Sequence, residues 1–292
     1  MLDANEPKVM ERIGAGDLVL DIGGWARCFN RADFVLDLFP FETRGRCYQD
    51  AMDLGPQGGV VEHFSAETWI CRDMCDHTPW PFADKQFDYC VCSHTLEDIR
   101  DPLWVCREMI RVAKAGYIEV PSMAFELSRG RESGVPVGLS HHKWIVDVKR
   151  STITFIPKLH FVHGERHLSL PASFGGALTP DRLVSWLFWD DAFTYGEGWF
   201  TREQLAETVR GFGAEPEPED DDSLERDRLC LVLAQTQREL AESRARENRL
   251  HDELSFYADL GPRAVGVARK LHALSVRHPF IASWLKRGMP AA

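Results

Sequence analysis

Short apolar runs, each closed by a polar or acidic residue, organise the first 122 positions. Residues 3–13 read as a short helix, and Gly14-Ala15-Gly16 then leads into Leu18-Val19-Leu20, which ends in Asp21. Phe34-Val35-Leu36 ends in Asp37, Thr68 to Cys71 ends near Asp73, and Phe87 to Cys92 ends at Ser93-His94. Runs of this length, bounded by glycines, predict buried parallel strands rather than helix fragments. Between the fourth and fifth runs the period changes. Leu103 to Val112 sets Cys106, Met109, Ile110 and Ala113 at helical spacing, with Arg107, Glu108 and Arg111 turned outward. Gly116 follows, and Tyr117 to Val120 forms a fifth run before Pro121.

Past Ser122 the pattern loosens. Residues 123–143 are glycine-rich and polar, and Ser140-His141-His142-Lys143 precedes an alternating strand, Trp144 to Val148, with a partner strand predicted from Thr152 to Ile156. Residues 160–182 read as irregular. Leu183 to Phe188 is predicted as a helix, and Ala192 to Tyr195 as a returning strand. Leu229, Leu233, Thr236, Leu240, Ser243, Glu247, Leu250, Leu254 and Tyr257 alternate spacings of four and three, a heptad seam with a polar middle. Gly261-Pro262 ends that helix, and a basic amphipathic stretch follows over 263–287.

Strands alternating with helical or looped connections predict an α/β layer fold around a mainly parallel sheet, carrying a β-rich insertion and a C-terminal helical, coiled-coil extension. Right-handed crossovers bring the carboxyl ends of the parallel strands to one edge. Ligands bind at that edge, near the point where strand order reverses. Asp21, Asp37, Asp73 and Ser93-His94 all fall there. The domain expectation is a body at 1–213 that includes an insertion at 123–200, an acidic linker at 214–223, and an extension at 224–292 made of a heptad helix (224–258) and basic helices (263–287).

Charge sharpens the division. The net charge of −11 over 292 residues is uneven. Residues 214–223 hold six acids and no base, whereas 260–292 hold six bases and no acid. An acidic body argues against nucleic-acid binding. No apolar window is long enough to span a bilayer and the N-terminus lacks a signal-peptide pattern, so a cytoplasmic protein is expected. The eight cysteines include Cys90, Cys92 and Cys106 in apolar periodic segments, where they act as small hydrophobes. Cys71-x3-Cys75-x-His77 matches no common zinc spacing, His160, His163 and His167 lack an element that would make them converge, and no metal ligand is assigned.

Residues 17–122 resemble a class I S-adenosylmethionine-dependent methyltransferase. The resemblance is carried by the Pro-Phe turn in Pro79-Trp80-Pro81-Phe82, the strand start Phe87-Asp88 and the strand end Ser93-His94-Thr95-Leu96-Glu97. Asp101-Pro102, Glu108-x-x-Arg111-Val112 and Lys114 to Ser122 complete it. The first motif departs from the family: Asp21-Ile22-Gly23-Gly24 keeps the first glycine, but Trp25 and Arg27 stand where further glycines are usual. The resemblance implies a Rossmann-like fold and S-adenosylmethionine as cofactor, with Asp21, Gly23 and Gly24 at its methionine end and Asp37 on the ribose hydroxyls. Asp73 and Met74 would lie beside adenine, and Ser93 near the sulfonium. The close spacing of Asp21 and Asp37 implies a short intervening helix.

Methyl transfer to an oxygen also needs a group to take up the acceptor proton, a task suited to histidine. His94, His141 and His142 are the candidates. Trp186, Trp189 and Trp199 are candidates for stacking on an acceptor or for plain packing. The implied acceptor is a small molecule or a glycan hydroxyl. The glycan preference comes from the C-terminal coil and basic helix, which resemble tails of bacterial surface-polysaccharide enzymes. The heptad helix at 229–257 suits a homodimer, and 263–287 suits packing more than peripheral membrane contact. A catalytically silent, partner-binding scaffold is the alternative that Trp25 and Arg27 suggest.

Overall fold

The computed structural model describes residues 1–45 and 56–213, together with the single positions Thr236, Leu240, Ser243 and Arg244. The acidic stretch at 214–223 and the basic helices at 263–287 lie outside the described residues. Of the heptad seam, Thr236, Leu240 and Ser243 are described, and they are helical and exposed. The chain divides into two compact units, Met1–Thr236 and Gln237–Ala292.

The first unit is built on a six-stranded sheet. In chain order its first strands are β1 (Val19–Ile22), β2 (Phe34–Asp37), β3 (Trp69–Cys71), β4 (Phe87–Ser93) and β5 (Ala113–Pro121). The insertion supplies β6 (Trp144–Lys149), β7 (Thr152–Pro157), β8 (Val184–Asp190) and β9 (Thr194–Glu197). Strand order is β3-β2-β1-β4-β5-β8, all neighbours parallel except the antiparallel β5–β8 pair. This is a Rossmann-like arrangement, and the order reverses between β1 and β4. The β6-β7-β9 sheet forms the expected β-rich insertion, with β6 and β7 as an antiparallel hairpin.

Helices are few. α1 (Glu6–Met10) buries Val9 against the sheet, and α2 (Pro102–Val112) is the one long crossover helix among the described residues. Asp101 starts α2 by accepting the Trp104 amide at 2.9 Å, and Pro102 occupies the first turn, where no amide partner is missed. The insertion carries short turns α3 (Met123–Glu126), α4 (Phe161–Gly164), α5 (Ala172–Gly176) and α6 (Pro180–Leu183), and α7 (Arg202–Gly211) closes the unit behind a Thr201–Gln204 capping box.

Alternating residues of the central strands feed two cores. Leu20, Ile22, Leu36, Cys90, Cys92 and Ile118 face α2, the 74–87 loop and the β6–β7 hairpin. Val19, Val35, Tyr89, Val91 and Tyr117 face α1, Phe29, Ala32 and Phe64. Each fully buried large apolar side chain contributes about 1.5–3 kcal/mol. The tie between the 79–82 turn and α2 is polar. Arg111 donates to the Phe82 carbonyl at 2.7 Å and the Trp80 carbonyl at 3.1 Å while pairing with Glu108, which accepts the Trp80 amide at 2.7 Å. The Glu108-x-x-Arg111 pattern is therefore a clamp on that turn.

Four expectations are corrected. Glu108, expected to face outward, is buried on α2 where it accepts the Trp80 amide. Leu183 to Phe188 is not a helix, because Val184–Asp190 forms edge strand β8. Its aromatics pack on both sides of the sheet, Leu187 and Trp189 in one core and Trp186 and Phe188 against the other. No helix lies between β1 and β2, since residues 23–33 form a looped connection that fills its side of the sheet with buried Phe29 and Ala32. Gly116 is inside β5 rather than before it. A side chain there would meet the Cys90 carbonyl at 2.6 Å, so glycine permits the close approach of β4 and β5. None of the described helices is long and apolar enough to cross a membrane.

Candidate active site

The edge formed by the carboxyl ends of β1, β2 and β4 gathers Asp21, Asp37 and Ser93-His94. Asp21 is buried and accepts the Phe29 amide at 2.8 Å. Burial pushes its carboxyl up to about 7, with Asp37 adding to the shift against the backbone hydrogen bond from Phe29. Gly23 has φ +75° and donates to the Leu36 carbonyl at 2.9 Å, and a side chain there would strike the Thr95 hydroxyl at 2.2 Å. At Gly24 a side chain would strike Asp21 Oδ2 at 2.1 Å. Both glycines are thus required by the protein's own packing at the end of β1.

Asp37 closes β2 with its carboxylate turned onto the glycine loop. Oδ2 accepts the Trp25 amide at 3.0 Å and Oδ1 the Phe39 amide at 2.9 Å. Burial raises its pKa, and those backbone hydrogen bonds oppose the rise. Each oxygen has a second lone pair, so acceptor capacity for a vicinal diol remains. The Trp25 ring lies 4.5 Å from that of Phe39 and donates from Nε1 to Thr43 at 2.9 Å. Leu38 and Phe39, beside Asp37, are exposed apolar residues suited to a flat base. Asp73 sits at the end of β3, where it accepts the Cys75 amide at 2.9 Å and pairs with Arg100 at 2.6 Å. Burial works to raise its pKa, but those two partners hold it below the ordinary value. Met74 is buried in the core on the α2 side, so it packs the interior.

Ser93 and His94 meet a polar hub centred on Glu119. This fully buried carboxylate accepts a bifurcated hydrogen bond from the Leu2 amide on its two oxygens, one from the Tyr117 hydroxyl, and one from Ser93 at 3.5 Å. His94, held at φ +54°, approaches Glu119 at 3.3 Å and Glu97 at 3.5 Å. Burial disfavours its charged form, yet the two carboxylates outweigh that and lift it to about 9. Burial likewise raises Glu119, but hydrogen bonds from His94 and Tyr117 with nearby positive charge bring it to about 2. His94 is accordingly an imidazolium at neutral pH, a poor proton acceptor and a good positioning charge.

His141 and His142 are stitched to the end of β4 by the amides of Lys143 and Trp144, which donate to the Glu97 carbonyl at 2.8 and 3.2 Å. His142 is buried, and its Nδ1 donates to Glu126, whose other oxygen accepts Lys158 at 3.1 Å. That bond fixes the tautomer and leaves the Nε2 lone pair facing Asp98 Oδ1 at 3.7 Å. His141 Nε2 lies 4.0 Å from the same oxygen. Burial, with Glu97 beside it, lifts Asp98 to about 7. Burial lowers the His141 pKa, whereas Glu126 outweighs burial and raises that of His142. Ligand atoms of Asp98, His141 and His142 all lie within 4.8 Å of one another.

The structure therefore gathers His141 and His142 with Asp98 and connects them through Glu97 to His94. Glu97, Asp98, Glu119, Glu126, Lys158 and Thr95 are site residues that sequence reasoning left without a role. An acid inside the apolar run Tyr117 to Val120 was the available signal for Glu119. Other candidates disperse. Cys71 donates to the Leu38 carbonyl, Cys75 to that of Asp101, and His77 stacks on Trp104. Trp189 is core, Trp186 packs on the sheet, and Trp199 is exposed.

A family model described as a methyltransferase domain matches residues 52–118. Two curated proteins of Mycobacterium sp., strains KMS and MCS, each described as an uncharacterized methyltransferase, are 28% identical over 138 residues. The match covers 45% of this chain and 48% of theirs, so the chain spans about half the length of the curated relatives it matches. Among solved structures, an S-adenosylmethionine dependent methyltransferase from Mesorhizobium loti is 15% identical, with a TM-score of 0.29 over 52% of this chain and 62% of that one. A SAM-dependent methyltransferase from Methanosarcina mazei is 17% identical, with a TM-score of 0.30 over 40% and 58%. The matched segment is thus similar to a methyltransferase domain, and the 3-2-1-4-5 strand order with an acid and paired glycines ending β1 is the class I arrangement that the sequence resemblance implies.

Proposed function

We propose that the chain is an S-adenosylmethionine-dependent methyltransferase acting on a hydroxyl oxygen of a small molecule or saccharide. The observation that carries this reading is the placement of Asp37 at the end of β2, beside the strand-order reversal, with lone pairs left for a diol and exposed Leu38 and Phe39 next to it. When bound, the cofactor supplies an electrophilic methyl on a sulfonium. The chain's own residues do the rest: Asp37 holds the ribose, the Gly23-Gly24 turn shapes the methionine end, and Ser93 and His94 border the reacting edge. Holding the acceptor oxygen about 3 Å from the methyl carbon, with water excluded, is the main source of rate. Managing the acceptor proton falls to the His141, His142 and Asp98 cluster at the end of β4.

The saccharide preference, and a place in polysaccharide biosynthesis, is supported by the resemblance of the C-terminal segment to tails of surface-polysaccharide enzymes. We assign residues 229–257 to pairing two copies through the heptad seam, and prefer packing over membrane contact for 263–287.

Titration calorimetry of the full chain with S-adenosylmethionine tests the cofactor. Binding is expected, and Asp37→Ala should weaken it about tenfold, near 1.4 kcal/mol, while the thermal unfolding transition is retained. No heat at millimolar cofactor would remove the reading. A second reading, a catalytically silent scaffold, is favoured by Trp25, whose amide engages Asp37 and whose ring packs on Phe39. Under it the wild-type chain stays silent and Trp25→Ala gains binding.

A further inference from the structure

We propose that Asp98, His141 and His142 form a binding site for one divalent first-row transition cation, Zn²⁺ or Co²⁺ being suitable probes. The arrangement is that of ligands facing a common point. Asp98 Oδ1 is 3.7 Å from His142 Nε2 and 4.0 Å from His141 Nε2. These separations exceed hydrogen-bond length, so the three atoms converge without bonding to one another. Asp98 Oδ1 is buried and accepts no hydrogen bond, a costly state for a carboxylate oxygen. The two imidazole rings are near-perpendicular at 76°, with centroids 4.5 Å apart, so neither blocks the other's lone pair.

The surroundings select the ligand state. Glu126 is fully buried and accepts a hydrogen bond from Nδ1–H of His142, which orients the ring and directs its Nε2 lone pair at the point of convergence. Lys158 holds Glu126 in turn, at 3.1 Å. Nitrogen and oxygen ligands sit about 2.0–2.2 Å from such a cation, which places them roughly 3.4 Å apart in a tetrahedral set. Binding therefore requires a contraction of a few tenths of an ångström at the two Asp98 pairs and at most about 1.4 Å between the imidazoles. His141, whose side chain is 60% exposed, is free to supply most of it. Two imidazoles and one carboxylate suit zinc, cobalt or iron(II) better than magnesium or calcium, which take oxygen ligands. Glu97, Asp98 and Glu126 against Lys143 and Lys158 leave the cluster one negative charge in excess when the histidines are neutral.

This inference deepens the reading of the acceptor side, because the cluster would act on the hydroxyl through an ion with its imidazoles as ligands. The binding itself stands independently of the cofactor. The test is a titration of the metal-free full chain with Co²⁺ and Zn²⁺ in the absence of S-adenosylmethionine. One equivalent is expected per chain, with visible Co²⁺ d–d absorption free of thiolate charge-transfer bands. His141→Ala and Asp98→Asn should each weaken binding at least tenfold, and Glu126→Gln by 10–100-fold. His141 is mostly exposed, so its replacement leaves folding intact. Absence of stoichiometric binding would overturn the proposal. So would binding unchanged in His141→Ala and Asp98→Asn, or a thiolate signature locating the ion at cysteines. Metal binding without cofactor binding would sink the methyltransferase reading alone, and the reverse result would sink the cation site alone.

Discussion

His94 is the residue whose chemistry differs most from its sequence appearance. It stands in a strand-end motif that invites a general base, yet two carboxylates keep it protonated. A histidine whose folded pKa lies above its unfolded value contributes stability that is fully present below the unfolded pKa and lost as pH rises through the folded one. The window here runs from about 6.5 to about 9. Stability measured by urea unfolding should fall across that window, and His94→Asn should remove that part of the fall, because asparagine tolerates the same left-handed backbone. The ring is 43% exposed, so water screens part of the attraction and the slope is shallow. An unchanged slope in His94→Asn would show that the Glu119 hub does not depend on this charge.

At the scale of elements, most of the parallel sheet was legible because fully buried strands leave continuous apolar runs. The segment Val184–Asp190 was not legible in the same way. Its Trp-Leu-Phe-Trp sequence is apolar on both faces, and a run of that length carries no period to separate helix from edge strand. What decides is β5, which offers a free edge for antiparallel pairing. Gly116 illustrates the same limit: read locally it punctuates, but in place it lets two strands approach. Gly116→Ala should cost about 1–3 kcal/mol in urea unfolding, because the methyl meets backbone that has nowhere to move. The site was legible to a similar depth. Strand-end acids are visible from local pattern, whereas the meeting of His142 with Glu126 and Asp98 depends on a loop returning over the sheet.

For the whole molecule, charge and periodicity together separate an acidic body from a heptad-bearing segment. If residues 229–257 join two copies, sedimentation velocity of the full chain should give twice the monomer mass. Leu250→Lys, which puts a charge in the seam, should return it to monomer. A monomeric wild-type chain at micromolar concentration would end that assignment. Within the first unit, the matched family segment takes in β3, β4, α2 with its clamp and most of β5, and the 123–200 insertion carries His141 and His142.

The looped β1–β2 connection has a consequence for how the chain acquires its structure. Parallel strands must wait for their intervening segment to close, and a helix ordinarily shortens that wait by condensing early on its own. Residues 23–33 and 72–86 contain no such nucleus. The β6–β7 hairpin and α2 are local elements that can form early, and both pack on one side of the sheet. Assembly from that side is the expected order, with β1, β2 and β3 joining late and the Asp21, Gly23-Gly24 and Asp37 corner among the last parts to gain protection in pulsed hydrogen exchange during refolding. The corner that holds Asp37 is then expected to be the youngest region of the unit in folding, and an occupant that clasps Asp37 should speed its consolidation as well as hold it.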